Sequence, residues 1–159
     1  MNRVTAFIGS ARRKHTYNAA MRLLEDIQSR NNSESDFEII RLSEHHLGIC
    51  RSCKACRDHG EELCPLEDDR DPLIDKMIAS AGVVIATPND SFQVSGHTED
   101  LPGQARGHLP PPLFFGKTST SIMAQGVCGG KNIVEYLDFV GRVSTSTPPT
   151  GAVSRPWNQ

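Results

Sequence analysis

The feature that most limits the fold of this chain is an alternation of short apolar runs with segments of helical period. The apolar runs predict strands at residues 3–8, 37–42, 83–87 and 118–125. Helical spacing of apolar residues predicts helices at residues 16–29, 74–81 and 133–140. Asp71 and Pro72 suit a helix cap and a first helical residue. Strands that alternate with helices indicate an α/β fold with a parallel sheet covered on both faces.

Length and charge narrow the class of protein. The chain has 159 residues, which suits one domain, and 37% of them are hydrophobic, which is enough for a core. The 17 Lys and Arg residues nearly balance the 19 Asp and Glu residues. This balance gives no electrostatic reason to expect nucleic acid or an anionic membrane as a partner. Since the apolar runs are short and no export signal is visible, we expect a cytoplasmic protein.

The loop after the first predicted strand carries a glycine, hydroxyls and basic side chains in residues 9–16. In open parallel sheets, ligands bind outside the carboxyl ends of the strands, where such loops meet helix N-termini. Backbone N–H groups and the hydroxyls of Ser10 and Thr16 suit a phosphate there. A helix capped by Thr16 beside a solvated basic loop is the alternative. The loop lacks the glycine pattern of dinucleotide-binding proteins and the Lys-Ser/Thr ending of a triphosphate loop.

Four of the five cysteines form a compact array with the spacing C-x2-C-x2-C-x7-C, at Cys50, Cys53, Cys56 and Cys64. Three cysteines at successive two-residue intervals are typical of iron-sulfur ligands, whereas zinc sites more often use two separated pairs. A cluster is therefore favoured, with zinc or unligated thiols as alternatives. Cys128 stands apart and is interpreted as a small buried residue.

These motifs together resemble the iron-sulfur flavoproteins, a branch of the flavodoxin-like NADPH-dependent FMN reductase family. Residues 9–18 resemble the family's Gly-Ser-x-Arg phosphate loop, and the cysteine array followed by Asp68 and Asp69 resembles its compact cysteine motif. Residues 87–92 stand where the family has Ser/Thr-Pro-x-Tyr, and residues 125–130 resemble its glycine-rich third loop. The resemblance covers residues 1–96 and 113–141.

The resemblance implies a flavodoxin-like doubly wound parallel sheet, bound FMN, a four-iron four-sulfur cluster and a homo-oligomer, either a dimer or a tetramer. The implied phosphate ligands are Ser10, Arg12, Thr16, Tyr17 and Asn18. The implied ring and ribityl contacts are Pro88, Asn89, Asp90, Ser91, Phe92, Gln125, Gly126, Val127, Gly129 and Gly130, and the implied metal ligands are Cys50, Cys53, Cys56 and Cys64. Asp90 replaces the family's aromatic residue, and Phe92 is the candidate substitute for stacking.

The resemblance breaks at residues 97–112, which contain four prolines and no apolar period, so no good helix is expected there. Back-translated with free codon choice and read one nucleotide further along, this segment gives the family's Lys-x-Phe-x-Asp-Arg pattern. The same offset fits residues 143–159. We therefore predict a frame-shifted segment, an irregular tail at 142–159 and the loss of the last strand and helix; the alternative is a natural proline-rich loop and tail.

The predicted function is an FMN-dependent oxidoreductase that moves electrons between a reduced nicotinamide or protein donor, FMN and the cluster. In this reading the cofactors supply the chemistry and the chain positions them. The alternatives are a non-enzymatic electron carrier, an inactive frame-shifted remnant, or an FMN reductase whose cysteines hold zinc or no metal. No single residue is predicted to be catalytic.

Overall fold

The fold is a parallel sheet flanked by helices, seen in a computed structural model that describes residues 2–30, 35–60, 63–104, 116–126 and 128–145. Its parallel strands are β1 (Asn2–Ile8), β2 (Ser35–Arg41), β3 (Gly82–Asp90) and β5 (Thr118–Ala124). A two-residue strand, β4 (Gln93–Val94), pairs antiparallel with the end of β3. The helices are α1 (His15–Arg30), α2 (Ala55–His59), α3 (Arg70–Ala79), α4 (Gly96–Gln104) and α5 (Gly130–Thr145). The order of the parallel strands is β2-β1-β3-β5.

The core has two halves, one on each face of the sheet, because successive residues of a strand point to opposite faces. On β3, Val84 and Ala86 pack with Ala20 and Leu24 of α1. The intervening residues of β3 join the second cluster, to which α3, α4 and α5 contribute Leu73, Leu101, Ile133 and Leu137. Helices therefore cover both faces, and the predicted α/β flavodoxin-like class is confirmed.

The predicted strands and helices are all present, with small differences at their ends. β3 continues through Pro88 to Asp90. Its neighbour β1 ends at Ile8, opposite Ala86, so the missing N–H of Pro88 costs no bond on that side. Helix α3 begins at Arg70 instead of after Asp71, because the Asp68 carboxylate accepts a hydrogen bond from the Arg70 N–H at 3.2 Å.

Helix α4 corrects the expectation that residues 97–112 form no helix. Gly96–Gln104 is helical, and residues 105–112 lie outside the described residues. The helix begins with a closed turn, in which the Ser95 carbonyl accepts bonds from the N–H groups of Thr98 and Glu99. Its inward face carries Leu101 and the hydroxyl of Thr98, each 1% exposed. The inward face is half polar, so a search for apolar period alone missed the helix.

At the other end of the chain, α5 continues to Thr145, so the first four residues of the tail predicted to be irregular, 142–145, are helical. Residues 146–159 of the predicted tail lie outside the described residues. The predicted loss of a last strand and helix therefore stays a prediction, as does the frame shift. Among the described residues, no helix combines the length and apolar character needed to cross a membrane.

Candidate functional site

A cleft of about 460 Å³ opens at the carboxyl ends of β1 and β3. Its walls are residues 9–12 after β1, Pro88 and Asp90 of β3, and Ser95, Gly96, His97 and Asp100 around the start of α4. The volume lies within the range of about 300–1,000 Å³ typical of small-molecule sites. The site is therefore where a parallel sheet places its ligands.

The loop after β1 is held in shape by its own atoms and by β2. Ser10 Oγ donates to the Arg12 carbonyl at 3.1 Å and accepts from the Arg12 N–H at 3.3 Å, which closes a tight turn. Arg41, the last residue of β2, donates from Nη2 to the Ala11 carbonyl at 2.6 Å and pairs with Glu44. Arg41 Nε is buried without a hydrogen-bond partner. The loop therefore has a fixed conformation, an exposed Arg12 and the Arg41 guanidinium bound to its backbone, and this combination suits the binding of an anion.

The five predicted phosphate ligands divide between the cleft and α1. Ser10 and Arg12 line the cleft. Thr16 is 4% exposed on the inner face of α1. Tyr17 packs against the core, and the Arg13 guanidinium lies 5.9 Å from its ring centroid. Asn18 is exposed on α1. The cleft wall thus includes Ser10 and Arg12, whereas Thr16, Tyr17 and Asn18 lie on α1.

The loop after β3 is a two-residue hairpin whose tip carries an exposed aromatic ring. Ser91 and Phe92 have φ angles of 51° and 66°, between the paired residues Asp90 and Gln93. Two successive positive φ values are the pattern of a type I′ turn, in which glycine and asparagine are usual. A bulky residue held there stores backbone strain, a feature that clusters at ligand sites. The Phe92 residue is 62% exposed.

The third predicted loop is tied to this hairpin. Asn89 donates from Nδ2 to the Cys128 carbonyl at 2.7 Å, and its Oδ1 accepts from the Phe92 N–H at 3.0 Å. A Cβ added at Gly129 would come within 2.8 Å of Phe92 Cδ1, so glycine lets the two loops meet. Gln125 Oε1 accepts from the Gly130 N–H at 2.9 Å at the start of α5. Gly126 is exposed, and Val127 lies outside the described residues.

The sequence reasoning missed the residues that α4 and β2 bring to this end of the sheet. His97 and Asp100 line the cleft, and burial raises the pKa of the Asp100 carboxyl, with His97 opposing the rise and Glu99 adding to it. Ser95, also in the cleft wall, binds the loop after β1 through its side chain. Thr98 and Arg41 contact residues of the cleft wall: Thr98 contacts the Ser95 hydroxyl, and Arg41 donates to the Ala11 carbonyl. Ser95 and Arg41 bind partners 86 and 30 positions away, so no local motif indicates them.

The cysteine array lies on a segment between β2 and α3. Cys50 and Cys53 are exposed, while Cys56, on α2, and Cys64 are half-buried. Among the described residues, no three His, Cys, Asp or Glu side chains come close enough together to hold a metal ion. The four thiols have the chemistry of a cluster ligand set, and their side chains do not converge in this arrangement. Cys128, predicted to be buried, is exposed, because only its backbone engages the Asn89 side chain.

The base of this segment is closed by the acidic pair that follows it. Asp69 Oδ2 accepts from the His46 N–H at 2.7 Å, and Asp68 Oδ2 accepts from the Gly48 N–H at 2.9 Å. The Asp69 N–H in turn donates to the His46 carbonyl at 2.8 Å. These bonds bring both ends of the cysteine segment together.

Arg70 follows this pair and is 5% exposed. Burial works against its charge, while its hydrogen bond to Asp71 raises its pKa. The electrostatic effects of Asp71, Cys64 and Asp68 add to that rise.

The fold and the position of the cleft define a flavodoxin-like protein, and comparison with known proteins gives the family. The model of the family described as NADPH-dependent FMN reductase matches residues 2–155. The chain therefore belongs to this family.

Two curated proteins are similar to part of the chain. The iron-sulfur flavoprotein of Methanosarcina thermophila is 27% identical over 86 residues, which are 54% of this chain and 43% of that protein. The iron-sulfur flavoprotein MJ1083 of Methanocaldococcus jannaschii is 30% identical over 69 residues, which are 43% of this chain and 35% of that protein. The matched region thus spans less than half the length of either relative.

Among solved structures, RosB with the bound intermediate 8-demethyl-8-formylriboflavin-5'-phosphate is similar with a TM-score of 0.70 and 16% identity. The match covers 98% of this chain and 68% of RosB. At this identity the likeness shows the fold alone.

Proposed function

We propose that this chain is an FMN-dependent oxidoreductase that binds the flavin phosphate at residues 9–12 and the ring between the second and third loops. The observation that carries the proposal is the cleft itself, which joins the basic turn of Ser10 and Arg12 to Pro88 and Asp90. Its volume of about 460 Å³ suits a mononucleotide. Family membership supports FMN as that ligand.

Different residues bind the phosphate and the ring of the flavin. Arg12 and backbone N–H groups of the loop hold the dianionic phosphate with charge-assisted bonds, and Ser10 joins them when its hydroxyl proton turns from the Arg12 carbonyl to the phosphate. Phe92, fixed on the hairpin and exposed, replaces the family's aromatic residue against the ring. The tied loops exclude water from one side of the ring. When bound, FMN supplies hydride and electron transfer, and the chain orients it. The implied contacts of Thr16, Tyr17, Asn18, Gly126 and Val127 stay predictions.

An affinity comparison between FMN and riboflavin tests the phosphate assignment. Arg12→Ala should weaken FMN by about 1.5 to 3 kcal/mol, the range for hydrogen bonds to charged groups. Riboflavin affinity should stay the same, because riboflavin has no phosphate. Lys131→Ala, which removes an exposed basic residue on α5, is the control. Equal weakening of both ligands by Arg12→Ala would place the phosphate elsewhere.

The finer proposal is that Cys50, Cys53, Cys56 and Cys64 ligate a four-iron four-sulfur cluster. Their spacing supports it, as do the names of the two relatives, which are called iron-sulfur flavoproteins. Cys53→Ser should remove most of the iron and sulfide from anaerobically prepared protein and leave flavin content unchanged. Cys128→Ser, outside the array, is the matched control and should leave iron unchanged. Equal iron content in the parent and in Cys53→Ser would contradict the ligand set. Zinc found in place of iron would show that the array binds zinc.

The electron donor and the assembly complete the proposal. A reduced nicotinamide or a redox protein supplies electrons, and the chain works as a homo-oligomer. Bleaching of the flavin absorbance by NADH or NADPH alone supports an enzyme. Bleaching only by a reduced redox protein would identify a carrier, and a colourless protein that binds no flavin would overturn the proposal.

A further inference from the structure

A cluster of three buried hydroxyls connects α4 to the loop after β1. We refer to Thr87, Ser95 and Thr98 as the hydroxyl cluster; they are 0%, 4% and 1% exposed. Thr98 Oγ1 lies 3.0 Å from Thr87 Oγ1 and 2.9 Å from Ser95 Oγ. The Ser95 N–H donates to Thr87 Oγ1 at 3.1 Å. One hydroxyl comes from β3 and the other two from the start of α4.

The protons of the cluster can be assigned. Thr87 donates to the Pro88 carbonyl at 2.9 Å, and Ser95 donates to the Gly9 carbonyl at 2.7 Å. Thr98 then has one proton for either of its two hydroxyl neighbours. Every hydroxyl proton has an acceptor, as buried polar groups require. In this assignment the Ser95 proton goes to the Gly9 carbonyl, which ties the cluster to the loop after β1.

Gly9 is held on both sides by this arrangement. Its N–H donates to the Ala86 carbonyl at 2.8 Å, and its carbonyl accepts from Ser95. A Cβ at this position would overlap Thr98 Oγ1 and lie 2.8 Å from Ser95 Oγ, so only glycine fits. In a planar trans peptide the C=O and the next N–H point in opposite directions. Ser95 thus sets the direction of the Ser10 N–H, which begins the turn of the proposed phosphate loop.

We propose that Ser95 and Thr98 are positioning residues for the phosphate loop: through the Gly9 carbonyl they fix the orientation of the Ser10 N–H. The inference rests on the proposed function, in which that loop holds the FMN phosphate. It makes α4 part of the binding machinery. Both hydroxyls act by ordering the loop before the ligand arrives, since the Ser95 proton is donated to the Gly9 carbonyl.

The test compares FMN and riboflavin affinities, because a displaced phosphate loop changes only the first. Ser95→Ala and Thr98→Val should each lower the preference for FMN over riboflavin by about 3- to 10-fold, the range for a neutral hydrogen bond. Thr98→Ser, which keeps the hydroxyl, should retain the preference.

Thr5→Val is the matched control. It breaks another buried hydroxyl pair, Thr5 and Ser80, which lie 2.6 Å apart near the opposite end of β3. It should lower the melting temperature and leave the preference unchanged. An unchanged preference in Ser95→Ala and Thr98→Val, or an equal loss in Thr5→Val, would overturn the proposal.

Amide hydrogen exchange without ligand separates this inference from the proposed function. Ser95→Ala should speed exchange at residues 10–12, and Thr5→Val should not. A parent protein that shows no preference for FMN would refute the phosphate assignment, while exchange still decides whether Ser95 orders the loop. Unchanged exchange at residues 10–12 would refute the positioning role.

Discussion

Asn89 binds the backbone carbonyl of Cys128 through its side-chain amide, at 2.7 Å, and so ties the end of β3 to the loop before α5. The same side chain accepts the Phe92 N–H at 3.0 Å. One residue therefore fixes both the hairpin and its neighbour, the two loops proposed to hold the flavin ring.

Asn89→Ala should weaken FMN and riboflavin equally, by about 0.5 to 1.5 kcal/mol for each hydrogen bond lost. The ring is common to both ligands, so the expected result differs from that of Arg12→Ala. Fluorescence titration measures both affinities, with Gln28→Ala, which changes an exposed amide side chain on α1, as a comparison. A loss confined to FMN would show that Asn89 acts on the phosphate side.

Leu101→Ala tests whether α4 packs as a helix in solution. Leu101 is 1% exposed in the core, and truncation of a buried leucine costs about 2 to 5 kcal/mol. Leu63→Ala is the control, since Leu63 is 56% exposed and should change the free energy of unfolding by less than about 0.5 kcal/mol. Equal stabilities of the two variants in urea unfolding would restore the interpretation of residues 97–104 as an irregular loop.

The parts of the site that the sequence predicted are those fixed by local patterns. Short apolar runs predicted the strands, and loops after parallel strands predicted where Ser10, Arg12 and Pro88 meet. Contacts between distant residues could not be read in this way. Ser95 and Gly9 are 86 positions apart, and Arg41 reaches 30 positions back to Ala11. Thr98 was missed because a buried hydroxyl looks like a surface residue when only apolar spacing is counted.

The Asp100 carboxyl gives the stability of the protein a specific pH dependence. Burial raises its pKa above the ordinary value of 3.8. The folded state therefore binds the Asp100 proton more tightly than the unfolded state does. This difference stabilises the folded protein below pH 3.8, and the stabilisation is lost as the pH rises through the raised pKa. Asp100→Asn, which does not titrate, should gain stability relative to the parent across that interval. Urea unfolding at several pH values measures the difference.

The control for this prediction is Gln28→Ala, which alters an exposed neutral side chain on α1. Its stability difference from the parent should stay constant with pH, because no titratable group is changed. A difference for Asp100→Asn that stays constant with pH would contradict the role of burial.

Asp68 controls how the cysteine segment is presented, although it lies outside the array. Its carboxylate accepts the Gly48 N–H at 2.9 Å and the Arg70 N–H at 3.2 Å, so it joins the start of the segment to α3. Hydrogen bonds to a charged acceptor contribute about 1.5 to 3 kcal/mol each. Asp68→Ala should therefore open the base of the segment and expose Cys56 and Cys64, which are half-buried.

Maleimide labelling of the metal-free protein should be faster at Cys56 and Cys64 in Asp68→Ala than in the parent, by about tenfold for each 1.4 kcal/mol lost. Asp68→Asn, which keeps one carbonyl oxygen, should lie between the two. Asp71→Ala is the matched control, because Asp71 pairs with Arg70 and makes none of the bonds that close the base described above. The labelling rate of exposed Cys128 should be the same in all four proteins, which shows that the fold is intact. If Asp68→Ala and Asp71→Ala label alike, the Asp68 carboxylate does not control how Cys56 and Cys64 are presented.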